Sequence, residues 1–257
     1  MRILESSSNP RIQKVKKTLS RKNPDEFVIE GSKLFEEALQ SGMQFEEAYF
    51  TEEAAARYPD IVRNLQTRDV SLNRISARIA KQISDVETPP GLIAILKKPE
   101  YGPVAIRNAA LLLIGLRDPG NFGAIVRTAE GAGMDAVFYT ADCADPFQPK
   151  AVRGSMGSLF RVPVIEIADP AVFLKEQTMA QVKICGLVPE GGVQLHQWKP
   201  SMPLLLCVGS ESHGIPPELS IPEKLSIPME GKTDSLNAAV AASICLYWIH
   251  LTCRNRN

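Results

Sequence analysis

Between residues 110 and 229 the chain carries six short apolar runs, and these restrict the fold more than any other feature. They are ALLLIGL (110–116), DAVFYT (135–140), VPVIEI (162–167), KICGLV (183–188), PLLLCVG (203–209) and KLSIPM (224–229). ALLLIGL shows no polar alternation, as expected of a strand buried on both faces. Strands alternating with helices predict a parallel sheet with helices on both faces. A long helix is expected to follow over 235–251. In such sheets ligands bind beyond the carboxyl ends of the strands, so the loops directly after the runs are the informative ones.

The first 98 residues have a different texture, also α/β. NPRIQKVKK opens a helix with one apolar stripe (Ile12, Val15, Leu19) and a basic face (Arg11, Lys14, Lys16, Lys17, Arg21, Lys22). That face is either simply solvated or a phosphate-contacting edge. FVIEG (27–31), AYFTEE and GLIAILKK (91–98) read as strands, SKLFEEALQSG as a helix, and VSLNRISARIAKQISD as mixed. KKPEYGPV (97–104) is the expected linker, which divides the chain into domains 1–100 and 105–257.

Composition narrows the classes. Apolar residues make up 44% of the 257, enough to bury a real core, and the formal net charge is zero. Any nucleic-acid or membrane partner must therefore be argued from local clusters. The N-terminal stretch has no apolar core of a secretory signal. The run at 238–251 is too short for an ordinary membrane span and contains Ser243 and His250, so it is expected to be a buried helix. The five cysteines lack any C-x-x-C pair, which predicts reduced thiols, no metal site and a cytoplasmic setting. RNRN at 254–257 reads as a frayed tail.

Three loops carry candidate chemistry. In DPGNFGAIVRTAEGAG (118–133), Pro119 and Gly120 suit a type II turn, and Asn121 can cap the helix that follows. Gly123, Gly131 and Gly133 permit close approach of another backbone. Arg127 lies off the apolar face, and by itself it reads most simply as the ion-pair partner of Glu130. CVGSESHG (207–214) places Glu211 in the turn after a buried strand. It does not match G-x-S-x-G, which argues against a serine hydrolase, and His213 reads as a loop histidine facing water. In TDSLNAAVAAS, Asp234 or Ser235 is the expected helix cap, with Asn237 a second polar amide near the helix start. Neither G-x-G-x-x-G nor a Walker A sequence occurs, which disfavours a conventional dinucleotide or P-loop site.

Taken together, N-x-G-x-x-x-R-T-A (121–129), G-x-E-x-x-G (209–214) and S-L-N (235–237) resemble the three motifs of the SpoU/TrmH ribose 2′-O-methyltransferases, in the SPOUT superfamily. PFQPKAVRGSMGSLFRVPV (146–164) is similar to this family as well. FVIEGSKLFEEAL and ETPPGLIAIL resemble the small substrate-binding domain often attached to these enzymes. The resemblance implies an α/β fold: a C-terminal parallel-sheet SPOUT domain with a trefoil knot, plus a small N-terminal α/β RNA-binding domain. It implies transfer of a methyl group from S-adenosylmethionine to a ribose 2′-hydroxyl in RNA, ribosomal RNA before transfer RNA, by a cytoplasmic homodimer. A catalytically silent RNA-binding or assembly factor on the same scaffold is the alternative from another class. Asn121, Arg127, Glu211, Ser235 and Asn237 match the catalytic positions. Leu187, Gly209, Ile227, Met229 and Leu236 match the cofactor cradle, and Glu211 is expected to orient an arginine or, second to that, to complement the sulfonium cation. Arg11, Lys14, Lys16, Lys17, Lys150 and Arg153, with Arg161, make a split basic footprint for RNA.

Overall fold

The computed structural model describes residues 3–68, 70–231 and 235–254. The candidate cap Asp234 and the expected frayed residues 255–257 lie outside the described residues. Backbone contacts divide the chain into two compact units, residues 1–100 with 147–160 and residues 101–146 with 161–257.

The first unit runs β1 (Ile3–Leu4), α1 (Pro10–Leu19), β2 (Glu26–Glu30), α2 (Ser32–Gln40), β3 (Phe45–Phe50), α3 (Glu52–Arg57), α4 (Pro59–Thr67), β4 (Ser71–Ile75), α5 (Ala77–Ile83) and β5 (Leu92–Lys97). Among the described residues its strands form one sheet in the order β1-β4-β3-β5-β2, parallel except that β5 runs against both neighbours. Helix α1 starts where Asn9 accepts a hydrogen bond from the Arg11 amide, with Pro10 at the first helical position. Ile12 and Val15 are completely buried on Tyr49, Ile75, Ile79 and Ile93, so the apolar stripe holds this helix to the sheet. Helix α3 is not evident in the sequence pattern, because EEAAAR is short and largely solvent-facing, and α4 is marked only by Pro59 and the buried pair Ile61 and Leu65.

The second unit begins with β6 (Ala109–Leu113), α6 (Pro119–Gly131) and β7 (Val137–Thr140). Helix α7 (Pro149–Ser155) follows in sequence but groups with the first unit. Its segment is anchored there at both ends, with the Phe147 and Phe160 rings 5.0 and 6.1 Å from Phe27 and an Arg153–Asp85 ion pair at 2.9 Å between them. The second unit resumes with β8 (Val164–Ile167), α8 (Pro170–Met179), β9 (Lys183–Leu187), β10 (Val193–Gln194), β11 (Leu204–Val208), β12 (Glu223–Ser226) and α9 (Ala238–Arg254). Among the described residues these strands form one fully parallel seven-stranded sheet, ordered β10-β12-β9-β11-β6-β7-β8.

Strand β6 is buried along its whole length, as its unbroken apolar run predicts. Ala110, Leu112 and Ile114 join Phe138, Leu205 and Leu174 in the core on one face. Leu111 and Leu113 point the other way by the two-residue period of a strand and are just as buried. Truncating any one of these leucines to alanine costs about 2–5 kcal/mol. Helix α9 departs from the expectation of a buried helix. Ala242, Cys245, Leu246 and Ile249 are buried, but Val240, Ile244, Tyr247 and Leu251 are 40–58% exposed on the opposite side. A continuous apolar run cannot reveal which of its faces lacks a neighbour. Among the described residues no helix is long and apolar enough to cross a membrane.

Candidate active site

Because every strand of the second sheet points the same way, the carboxyl ends gather at one edge. The register sets Leu113, Val208 and Leu187 side by side, with Leu225 next to Leu187. The loops after β6, β9, β11 and β12 therefore emerge together.

After β6 the backbone is clamped from β7. The Gly115 amide donates to Thr140 Oγ1 (3.1 Å), and the Leu116 amide donates to Cys143 Sγ (3.2 Å). These clamp residues carry no motif signal and lie more than two dozen residues away. Asp118 then caps α6 by accepting from the Asn121 amide at 2.8 Å. This corrects two expectations. Pro119 and Gly120 form the first helical turn rather than a type II turn, and Asp118 rather than Asn121 is the cap. The reason is local: proline lacks the N–H that a first-turn residue would leave unpaired. The amide of Asn121 is thereby released for tertiary contacts. Its Nδ2 donates to Glu211 Oε1 at 2.6 Å, and its Oδ1 accepts from Asn237 Nδ2 at 3.1 Å. One side chain thus joins all three motif loops.

The loop after β11 is tight. Ser210 and Gly214 exchange backbone hydrogen bonds (3.2 and 2.9 Å), which turns residues 210–214 back on themselves. A Cβ on Gly209 would fall 2.1 Å from the Gly214 carbonyl carbon, so no larger residue fits there without moving backbone. Glu211 is carried at the exposed tip and, among the described residues, holds Asn121 rather than the arginine it was expected to orient. His213 is exposed, its Nδ1 2.7 Å from Ser212 Oγ.

At α9 the expected cap is displaced toward the helix. Asn237, not Ser235, accepts from the Ala239 and Val240 amides at 2.9 and 3.3 Å. Asn237 therefore uses its oxygen to start a helix and its nitrogen to hold Asn121. Helices α6 and α9 are also joined at mid-length. Thr128 donates to the Ala124 carbonyl (2.9 Å), so it accepts from Ser243 at 2.9 Å. The close approach allowed by Gly131 is made by a side chain rather than by backbone: a Cβ there would meet the Tyr247 hydroxyl at 3.3 Å.

Arg127 lies six residues beyond Asn121 on α6, about 9 Å along the axis. Its side chain is exposed, and among the described residues it makes no hydrogen bond or ion pair. The simple reading as a partner of Glu130 is overturned, since Glu130 is held in a two-pronged contact by Arg161 Nε and Nη2.

Beside this junction is a cavity of about 430 Å³. Leu187, Gly209, Ile227, Met229 and Leu236 all line it, as do Glu211 and Ser235. Aliphatic Leu187, Val208, Ile215, Ile227 and Leu236 form much of its lining, a surface that suits a flat, uncharged heterocycle, and Glu211 and Ser235 add a carboxylate and a hydroxyl. Cys185, Cys207 and Cys245 lie buried in this unit, and burial pushes the Cys207 and Cys245 thiols up to about 12. Among the described residues no group of three or more His, Cys, Asp or Glu side chains could hold a metal ion.

Of the expected RNA-facing residues, Arg161 belongs to the second unit and pairs with Glu130, and the others belong to the first unit. Arg11 bonds Ser71 Oγ at 3.0 Å and Asn73 Oδ1, and Lys14 pairs with Glu26 (3.0 Å) and Glu47 (3.5 Å). Burial pulls the Lys14 ammonium down, but the two carboxylates outweigh it and leave it raised. Lys16 and Lys17 make no ion pair among the described residues. Lys150 is exposed on α7, and Arg153 pairs with Asp85.

Two stretches of the chain match known families. Residues 108–247 match the SpoU rRNA Methylase family, and residues 9–94 match the MRM3-like substrate binding domain. The 23S rRNA (guanosine(2553)-2′-O)-methyltransferase RlmP of Bacillus subtilis is 33% identical, over 96% of this chain and 98% of that protein. The structure of an AdoMet-bound rRNA methyltransferase from Sinorhizobium meliloti superposes with a TM-score of 0.85 at 26% identity, covering 100% of this chain and 98% of that one. The SpoU methyltransferase AviRb from Streptomyces viridochromogenes, in complex with AdoMet, gives 0.83 at 25% identity, covering 97% and 99%.

Proposed function

Because the chain belongs to the SpoU rRNA methylase family, we propose that it methylates a ribose 2′-hydroxyl of ribosomal RNA, with S-adenosylmethionine as donor. The observation that carries this reading is the Asn121 junction, which ties Glu211 and Asn237 together at the rim of the 430 Å³ cavity. The cavity fits the cofactor by its chemistry. Aliphatic Leu187, Ile227 and Leu236 suit the adenine, and the Glu211 carboxylate complements a cation. When bound, S-adenosylmethionine supplies a methyl group on a positively charged sulfur.

Arg127 is a guanidinium cation with a planar fork of donors. It binds the phosphate beside the target ribose and stabilises negative charge developing on the 2′-oxygen as the hydroxyl proton passes to water or to that phosphate. Asn121 and Asn237 fix the loops so that the oxygen and the methyl group are held in line. Glu211 holds Asn121, and Ser235 adds a hydroxyl to the cavity lining. Lys16, Lys17 and Lys150 contact RNA phosphate, while Arg11, Lys14 and Arg153 chiefly hold their helices. The exposed stripe Val240, Ile244, Tyr247 and Leu251 on α9 is the surface that we assign to a second copy of the chain. A trefoil knot at the carboxyl end of the second unit belongs to the same reading, supported by the likeness to the family, and a cytoplasmic location rests on the reduced cysteines.

The test is methyl transfer from radiolabelled S-adenosylmethionine to total RNA of a host lacking this gene, separated by size. Label in one large ribosomal RNA is the expected result. Label confined to small RNA would replace ribosomal by transfer RNA. No label, with cofactor still bound, would leave an RNA-binding assembly factor.

A further inference from the structure

We propose that the first unit carries its own ligand site, a cavity that receives one unstacked nucleotide of the RNA substrate. This rests on the reading of RNA as substrate. The cavity measures about 670 Å³, larger than that beside the Asn121 junction and within the ~300–1,000 Å³ usual for ligand sites. Strands β1, β4 and β3 are mutually parallel, and the cavity is lined by residues at and just after their carboxyl ends, the edge at which α/β sheets bind ligands.

The site is built in advance. Thr51 donates its amide to the Gly91 carbonyl at 2.9 Å, and Thr51 Oγ1 caps α3 at the Ala54 amide. Gly91 has φ +73°, and a Cβ there would lie 2.6 Å from Thr51 Oγ1, so the 88–91 loop presses directly on the start of α3. On the other side Ser76 donates its amide to Leu4 and caps α5 with its hydroxyl.

The lining selects the class of occupant. Ala54, Ile75 and Ala80 are buried and apolar, and Pro89 and Pro90 add flat apolar faces. Arg57, Arg74 and Lys81 bring positive charge, but Glu5, Glu52 and Glu53 stand among them, and Arg74 is paired with Glu52 at 2.9 Å. A groove that only tracked phosphate would be weakened by three carboxylates. A base needs what is here: an apolar floor, guanidinium planes on which to stack, and carboxylate acceptors for its exocyclic amines. Sequence-specific RNA recognition proceeds in this way, on bases splayed out of loops and bulges, whereas phosphate contacts carry no sequence information. The cations then meet the phosphates on either side.

The experiment uses the full chain and fragmented host ribosomal RNA. Ala77 is exposed on the cavity lining, so Ala77→Trp obstructs the opening without entering the core. Arg74→Ala removes one stacking plane. Both variants are expected to raise KM for RNA about tenfold, the scale of one stacked base, with kcat within about twofold and cofactor affinity unchanged. Direct ultraviolet crosslinking of the unmodified fragments should place adducts on peptides covering 74–81 or 88–91. Wild-type KM in both variants, or adducts only elsewhere, overturns the site while leaving the methyltransferase reading intact. If the wild-type chain neither methylates nor binds ribosomal RNA, the substrate reading fails first and this site falls with it.

Discussion

Arg127→Ala separates a structural from a catalytic role more sharply than any other change in this chain. The side chain is exposed on α6 and has no hydrogen bond or ion pair among the described residues, so its removal leaves no buried partner stranded. Alanine is at least as good a helix former as arginine. The stability change should stay within about 0.5 kcal/mol, which for a chain of this size moves Tm by about 1–2 °C. Catalysis should respond on another scale. Losing one donor aimed at charge that develops in the transition state costs about 10²–10³ in kcat, or about 3–4 kcal/mol. Arg127→Lys keeps a charge but not the two-pronged fork, and it should recover only part of that loss. Steady-state transfer of labelled methyl to ribosomal RNA gives kcat, calorimetric titration gives cofactor affinity, and a thermal scan gives Tm. The reasoning is refuted if Arg127→Ala turns over within about threefold of wild type. It is refuted differently if Tm drops by more than about 5 °C, because the residue would then be holding the fold.

Three further outcomes follow from the geometry. Gly209→Ala drives a methyl group toward the Gly214 backbone 2.1 Å away, so cofactor affinity should fall at least about tenfold with a lowered Tm; normal affinity would show that the loop yields cheaply. Asn237→Ala should cost about 1 kcal/mol as a lost cap, whereas Asn237→Asp keeps the accepting oxygen and the stability but loses the donor to Asn121. Activity should stay low in both, and full activity in the aspartate variant would sever the Asn121 contact from function. Burial raises the Cys207 and Cys245 thiols from 9.0 to about 12, so between those values the unfolded chain releases protons that the folded chain keeps. Stability should be unaffected below pH 9 and decline above it by up to about 1.4 kcal/mol per pH unit for each thiol. Denaturant titrations should show a shallower decline in Cys207→Ala.

Much of the fold was readable along the chain, because strand and helix periods are local. The run ALLLIGL predicted β6, and KICGLV, PLLLCVG and KLSIPM predicted β9, β11 and β12 to within a few residues. The three motifs named the residues that meet at the Asn121 junction. Alternation of elements also implied a parallel sheet, and with it the edge where those loops gather. These properties depend on neighbours no more than a few residues apart, or on residue types brought together in a recognisable order.

What only the folded chain decided is which groups find each other. Asn121 bonds Glu211 and Asn237 across 90 and 116 residues, and no periodicity encodes such a pairing. Glu130 lies three positions from Arg127 and yet takes Arg161, because side chains on a helix surface choose among all cations that packing delivers. On sequence alone Lys14 belongs to a basic face that is either solvated or phosphate-contacting, whereas in the fold β2 and β3 present Glu26 and Glu47 to it. Phe147–Phe160 groups with the first unit, where its end rings pack at a tilt against Phe27, more than a hundred residues earlier. Strand order and register set these meetings, and both are fixed only when the apolar faces have been buried together.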